Sequence, residues 1–282
     1  MFTIGSSLKP GQFWEIARHP KPVILGLILQ MLFLPLLAFA IVDIINLPPE
    51  FKVGIMILSF CPGGTTSNLI SFLVKADVAL SIYLTSINSF LILVTVPTFT
   101  YLALIKFTGS GDHFSLPVGS TVLSVILIIL LPVIIGIQVR RYFPDIIIKL
   151  QKPLKYASIA LLAVVFAIKF FAPSSQGGSG LIWAEVKQLL PITLFIHLLV
   201  MFLSYYLAKG FLSNHKACIT LGIEVGLQNT TLALLVTSTI LGNEQMAKPA
   251  LVYAMFSFFT TFIYAWVNKK YDRIHRLDPE KA

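Results

Sequence analysis

The sequence predicts an all-helical integral membrane fold: eight full crossings plus an N-terminal stub, arranged as an inverted repeat. Three observations predict it. Of 282 residues, 56% are hydrophobic and only 12% charged, whereas soluble domains carry about 25% charged residues. The apolar residues fall into eight stretches, each near the about 20 residues that cross hydrocarbon as a helix. Two of those stretches are interrupted by matching polar clusters.

A soluble domain of this length could not hide so much apolar surface, because surface remains exposed at any size. The surplus needs an apolar solvent, and membrane lipid is one. The net charge of +9 admits nucleic acid, an acidic partner or anionic lipid. The cations sit between apolar stretches and at the C-terminus. That placement favours loop topology and argues against nucleic acid. Cys61 and Cys218 both lie inside apolar stretches, as small packing residues do, and offer no disulfide framework. The histidines are scattered without metal spacing.

The stretches run in order as follows. Pro22–Val42 is the first. Val53–Val74 is the second, interrupted at Pro62-Gly63-Gly64. Val78–Ile105 is the third, long enough to tilt. Leu116–Val139, Leu154–Phe171 and Trp183–Ala208 are the fourth to sixth. Lys216–Leu241 is the seventh, with Gln228-Asn229-Thr230-Thr231 in its middle. Pro249–Val267 is the eighth. Before them Met1–Leu8 is too short to span and lacks the basic start and full apolar core of a signal peptide.

Cations concentrate in alternate connections. Lys9, Arg18 and Lys21 precede the first crossing. Arg140, Arg141, Lys149, Lys152 and Lys155 lie between the fourth and fifth. Lys209 and Lys216 lie between the sixth and seventh, and Lys269, Lys270, Arg273 and Arg276 follow the eighth. Cation-rich loops stay inside, so this set and the C-terminus are expected to be cytoplasmic. Lys75 and Asp77 are the weak spot of the pattern.

The two interrupted crossings are five apart and run in opposite directions, the pattern of an inverted repeat. The first repeat, residues 1–106, is incomplete, and the second, 116–268, is complete. By symmetry about two helices are missing before the first crossing, so the N-terminus reads as shortened.

Irregular backbone in hydrocarbon leaves amides and carbonyls unpaired unless it lines a cavity or is buried in protein. Pro62 removes a donor, and Gly63 and Gly64 allow close approach. Thr65, Thr66 and Ser67 then begin a second half-helix as capping types. The alternative is a proline kink whose hydroxyls bond back to the helix; the matching break near Glu224–Asn229 favours a binding site. Glu224 is the one carboxylate deep in an apolar crossing, and such residues mark ion or proton paths. A protonated, hydrogen-bonded Glu is the alternative. Ser67, Asn68, Gln228 and Asn229 carry neutral oxygens at the same depth. Oxygen ligands with a single carboxylate suit a hard monovalent cation better than a divalent one. Ser81, Thr85 and Asn88 share one helix face, which helix packing by small polar residues would also explain. Gln30 cannot face lipid cheaply; packing and ligation both remain open for it.

Cys61-Pro62-Gly63-Gly64-Thr65-Thr66-Ser67-Asn68, with Val78-Ala79-Leu80-Ser81 and Thr85-Ser86, resembles the bile acid:sodium symporter family. So do Ile223-Glu224-Val225-Gly226-Leu227-Gln228-Asn229, and Leu8-Lys9-Pro10 with His19-Pro20-Lys21. The resemblance covers nearly the whole chain. It implies ten helices in bacterial members, two discontinuous helices crossing at mid-membrane, and a panel moving against a core. The core would hold residues 53–106 and 216–268. It implies two sodium ions, Na+ being the only cofactor. One would be held by Ser67, Asn68, Ser81, Thr85 and Glu224. The other would be held by Gln30, Glu224, Gln228 and the backbone oxygens of Val225 and Leu227. Thr65, Thr66 and Asn229 would face a small organic anion. It also implies a bacterial plasma membrane. The N-terminus departs from the family in lacking the first helix and most of the second. Phe256-Ser257-Phe258-Phe259 departs in being mostly aromatic, so the substrate's identity does not carry over.

The expected function is therefore sodium-coupled symport of a small organic anion by alternating access. Rivals are proton coupling or efflux with Glu224 as proton carrier, a membrane-embedded enzyme, and a sensor that binds without transport. The enzyme reading lacks a metal cluster or a nucleophile–base pair beside Glu224.

Overall fold

The computed structural model describes residues 20–109, 135, 136, 138–171 and 178–277, and every regular element among them is helical. The stub Met1–Leu8 and most of the expected fourth crossing, Leu116–Val139, lie outside the described residues.

Helix α1 runs Pro20–Ile44 and carries a π-helical turn, Leu29–Phe33, in its middle. Ile24, Ile28, Leu32 and Leu36 recur every four residues along it and are all exposed. Such a stripe on one helix face is what lipid would cover. Backbone extends at Ile45, and Pro49 opens α2, Pro49–Ser59, at the first helical turn where a missing N–H costs nothing. Most of α2 is buried.

The helix stops there because Pro62 has no amide to give and disfavours helical backbone at Cys61. It resumes as α3, Thr65–Leu73. A tight corner with Lys75 at a positive φ of 57° leads to α4, Val78–Thr108, capped by the Asp77 side chain, which accepts the Leu80 amide. Gly109, left-handed, ends α4. The halves Val78–Ile92 and Val94–Thr108 are bent by 58°. Pro97 lacks the N–H that would pair with the carbonyl of Leu93, four residues earlier, and so breaks the ladder at the bend.

Next come α5, Pro144–Phe171, and α6, Trp183–Phe211. After them α7, His215–Gly226, is capped by Asn214. Leu227 is extended, and Asn229 caps the next helix, α8, Thr230–Leu234. That helix continues as a second π-helical turn, Leu235–Ile240. Helix α9, Glu244–Leu277, ends the described chain.

Among the described residues, Pro20–Ile44, Trp183–Phe211, His215–Ile240 and Glu244–Lys269 are long and apolar enough to cross a membrane. The bent α4 makes a fifth if its halves count as one span. The broken span His215–Ile240 is 78% buried, against 33–44% for the other three. The segment with unpaired backbone thus sits in protein rather than against lipid, as satisfaction of its polar groups requires.

Candidate functional site

Both breaks lie against each other. The Asn229 amide donates to the Cys61 carbonyl at 2.8 Å, joining the two interruptions directly. Gly63 permits the approach: a Cβ there would lie 2.6 Å from the Leu227 carbonyl oxygen. Beside Gly64, the same added carbon would come 3.4 Å from the Asn229 side-chain nitrogen. Position 63 therefore has no room for a side chain, whatever its backbone angles.

Around this junction the polar side chains gather into two groups. In the first, Glu224 is 2% exposed. Its Oε1 accepts from the Ser81 hydroxyl and its Oε2 from the Thr85 hydroxyl at 3.4 Å. Both hydroxyls also reach the Asn68 side-chain oxygen, at 2.6 and 3.3 Å. Ser67 is fully buried beside them, its hydroxyl donating to the Gly64 carbonyl at 2.8 Å. Two hydroxyl protons thus serve the Asn68 oxygen and both Glu224 oxygens. A hydroxyl has one proton, so lone pairs outnumber donors, and a buried carboxylate in such a place is balanced by a cation or by a proton of its own. Helices α3, α4 and α7 supply the group. Ser81 and Thr85 are one turn apart on α4.

In the second group, Gln30 on the π-helical turn of α1 donates to the Gln228 side-chain oxygen at 3.1 Å. Gln228 donates from its side-chain nitrogen to the Val225 carbonyl at 2.7 Å. The Gln30 side-chain oxygen is buried with no hydrogen-bond partner, so an acceptor points into this group unspent. The π turn widens α1 at the residue that must reach inward, a common use of such turns at functional sites. Glu224 joins this group by its neighbour Val225, while its own hydrogen bonds run to Ser81 and Thr85.

Remaining predicted residues sit at the rim. Thr66 is exposed, and Asn229 and Thr230 are half-buried. The Asn229 oxygen accepts from the Leu232 amide at 3.1 Å as a helix cap, and its side-chain nitrogen lies beside Gly64 of the other break. The side chain of Thr65 lies outside the described residues. Asn88 continues the Ser81 face, buried, with its side-chain oxygen unpartnered. Glu224, Ser67, Ser81 and Thr85 are buried, Asn68 and Asn229 half-buried. Contrary to the expectation of a hydroxyl cap, α3 starts from Gly64 with no side-chain cap, and Ser67 bonds back to the Gly64 carbonyl.

Sequence reasoning missed the supports of this site. The Asp77 amide donates to the Thr220 hydroxyl at 2.9 Å, fastening the corner before α4 to α7. Buried Lys248 pairs with Glu185 at 2.6 Å, a pairing that the spacing of the two residues does not indicate. His197, counted merely as one of the scattered histidines, lies 1% exposed against the second break. A lone imidazole in the apolar run Leu194–Val200 was the available signal.

Helices of membrane-spanning length, one of them broken and hydrogen-bonded to the α2–α3 break beside a buried cluster of polar side chains, fit a membrane-embedded protein. Comparison with known proteins agrees. Residues 1–176 match the Sodium Bile acid symporter family. The chain is 33% identical over 233 residues to an uncharacterized sodium-dependent transporter, YocS, of Bacillus subtilis, covering 82% of this chain and 69% of that one. It is 26% identical over 252 residues to the probable chloroplastic sodium/metabolite cotransporter BASS1 of rice, Oryza sativa subsp. japonica, covering 89% of this chain. It is 25% identical over 281 residues to the ileal sodium/bile acid cotransporter of rabbit, Oryctolagus cuniculus, covering 98% of this chain and 78% of that one. The chain spans 59% of the length of the rice relative. It belongs to the sodium bile acid symporter family. That family and these relatives are transporters, which sets the enzyme reading aside.

Proposed function

We propose that the chain is a sodium-coupled symporter of a small organic anion, working by alternating access. One observation carries the proposal: buried Glu224 meets Ser81 and Thr85, which share Asn68, where two broken helices are hydrogen-bonded back to back. A sodium ion at Ser67, Asn68, Ser81, Thr85 and Glu224 would neutralise the carboxylate and tie α3 and α4 to α7. A second, at Gln30, Gln228, Glu224 and the backbone oxygens of Val225 and Leu227, would tie α1 to the same break. The unpartnered Gln30 oxygen fits such a ligand.

The half-helix that begins at Thr65 has no side-chain cap and would offer its first amides and positive dipole end, while α8, whose Thr230 and Leu232 amides are already bonded, would add its dipole end. A carboxylate would sit there, with Thr65, Thr66 and Asn229 as its neighbours. Each sodium that moves down 100 mV supplies about 2.3 kcal/mol to carry it. In this reading the two breaks belong to two inverted repeats, residues 1–106 and 116–268, within eight crossings and a core of 53–106 and 216–268. The cation-rich loops and the C-terminus face the cytoplasm of a bacterial plasma membrane.

The test is uptake of labelled organic anions (a bile salt, pantoate and pyruvate) into proteoliposomes. Accumulation of one of them with an inward sodium gradient, and not with potassium, is expected. Uptake that follows a proton gradient and ignores sodium would refute the coupling.

A further inference from the structure

Every backbone group that the second break releases needs a partner. The Leu227 amide bonds the Ile223 carbonyl at 2.9 Å, the Asn229 amide goes to Cys61, and the Thr230 amide goes to the Gln228 carbonyl. The Val225 carbonyl takes the Gln228 side chain. Among the groups left, the Gly226 carbonyl and the Gln228 amide are served by neither ion-type group. The structure gives both to one pair of side chains from the helices behind the break.

That pair is His197 on α6 and Tyr253 on α9. The His197 Nδ1 lies 3.0 Å from the Gly226 carbonyl and 2.9 Å from the Tyr253 hydroxyl. The Tyr253 hydroxyl donates to the same Gly226 carbonyl and accepts from the Gln228 amide at 3.2 Å. On the far side of the ring, Nε2 lies 2.8 Å from the Thr260 hydroxyl. In the tautomer with Nδ1–H donating to Gly226, Nε2 accepts from the Thr260 hydroxyl, whose one proton otherwise goes to the Phe256 carbonyl at 3.0 Å. Tyr253 and Thr260 are two turns apart on α9, so a single face holds both ends of the ring. His197 and Met201 are one turn apart on α6. A Cβ on Gly226 would come 3.0 Å from that of Met201. The missing side chain at 226 therefore lets α6 close on the break and bring the imidazole to it.

We propose that the His197–Tyr253 pair is a positioning unit for sodium at the broken α7. It holds the Gly226 carbonyl turned back toward α6 and α9 and fixes the Gln228 amide. The Val225 oxygen and the Gln228 side chain, which Gln30 meets, are thereby left on the opposite face, while the Leu227 oxygen lies against Gly63. Neither His197 nor Tyr253 touches the ion. They act through the peptide units on which its ligands sit. The inference rests on the sodium reading given above and adds to it which residues outside the ligand set govern the ion's affinity.

The test is sodium binding by purified full-length protein in detergent, read as 22Na+ binding and as sodium-dependent thermal stabilisation at constant ionic strength. Variants are H197A, H197N, H197Q and Y253F. Loss of one hydrogen bond at the break is expected to raise the half-saturating sodium concentration about tenfold in H197A and in Y253F. The asparagine amide takes the place of Nδ1–H and is expected to recover most of the affinity. Glutamine, which takes the place of Nε2, is expected to recover little. If H197A does not fold, Y253F and the contrast between asparagine and glutamine decide the question. Folded variants that bind sodium as the wild type does would overturn the positioning role alone. Wild-type protein that binds no sodium would overturn the sodium reading, and the positioning role with it.

Discussion

Gly63→Ala tests the junction most sharply, because it adds one carbon where the two breaks meet. The new Cβ would start 2.6 Å from the Leu227 oxygen, a backbone atom that cannot rotate away. Ordinary contact begins at 3.4 Å, so the breaks must part by about 0.8 Å. The Asn229 amide then moves from 2.8 Å toward a distance at which its bond to Cys61 no longer counts as a hydrogen bond. Overpacking of this kind costs roughly 1–3 kcal/mol, and the lost backbone bond adds about 1 kcal/mol. The Leu227 oxygen is also a proposed sodium ligand, so affinity for the ion should fall together with stability. Thermal unfolding in detergent, with and without sodium, reads both. The expected result is a melting point several degrees lower and a much smaller sodium-induced rise. Gly210→Ala is the control, since nothing lies within 4 Å of its added carbon. Alanine inside a helix gains up to about 1 kcal/mol over glycine, so that variant should melt at or slightly above the wild type. A Gly63→Ala protein with wild-type melting and an undiminished sodium response would refute the close approach of the two breaks.

Other outcomes follow from the same contacts. Removing Glu185 leaves Lys248 buried and unpaired; Glu185→Ala should lose roughly 3 kcal/mol, and the double replacement Glu185→Met with Lys248→Met should restore most of it, as a double-mutant cycle of thermal stability would show. Thr220→Val severs the clamp on the Asp77 amide and should cost about 1–2 kcal/mol, seen as faster hydrogen exchange at the start of α4. Asn229→Ala removes the cap on the Leu232 amide. It should cost about 1 kcal/mol of stability, and it should raise the substrate concentration for half-maximal uptake more than it changes sodium binding.

Much of the site was legible in the sequence because its signals are local. Pro62-Gly63-Gly64 and Gly226–Asn229 break helices by their own chemistry, and Glu224 stands out by charge alone in an apolar run. Ser81 and Thr85 share a face by spacing. What stayed hidden depends on which helix packs against which. Gln30 read equally well as packing; only the fold brings it to Gln228. The partners of His197, 29 to 63 residues away in the chain, follow from α6 closing on Gly222 and Gly226, which spacing does not encode. The π-helical turns at Leu29–Phe33 and Leu235–Ile240 have no composition that marks them. Lys248 and Glu185 are 63 residues apart in the chain, and only the packing of α6 on α9 sets them 2.6 Å apart.

Equilibrium binding of 22Na+ to the purified protein, wild type against Glu224→Gln, tests the account at its centre. Glutamine keeps the shape and hydrogen-bonding reach of the side chain and removes only its charge. Saturable binding to the wild type, competed by unlabelled sodium but not by potassium, and lost in folded Glu224→Gln, is the predicted result. Equal binding to both proteins would contradict the claim that this buried carboxylate holds the ion.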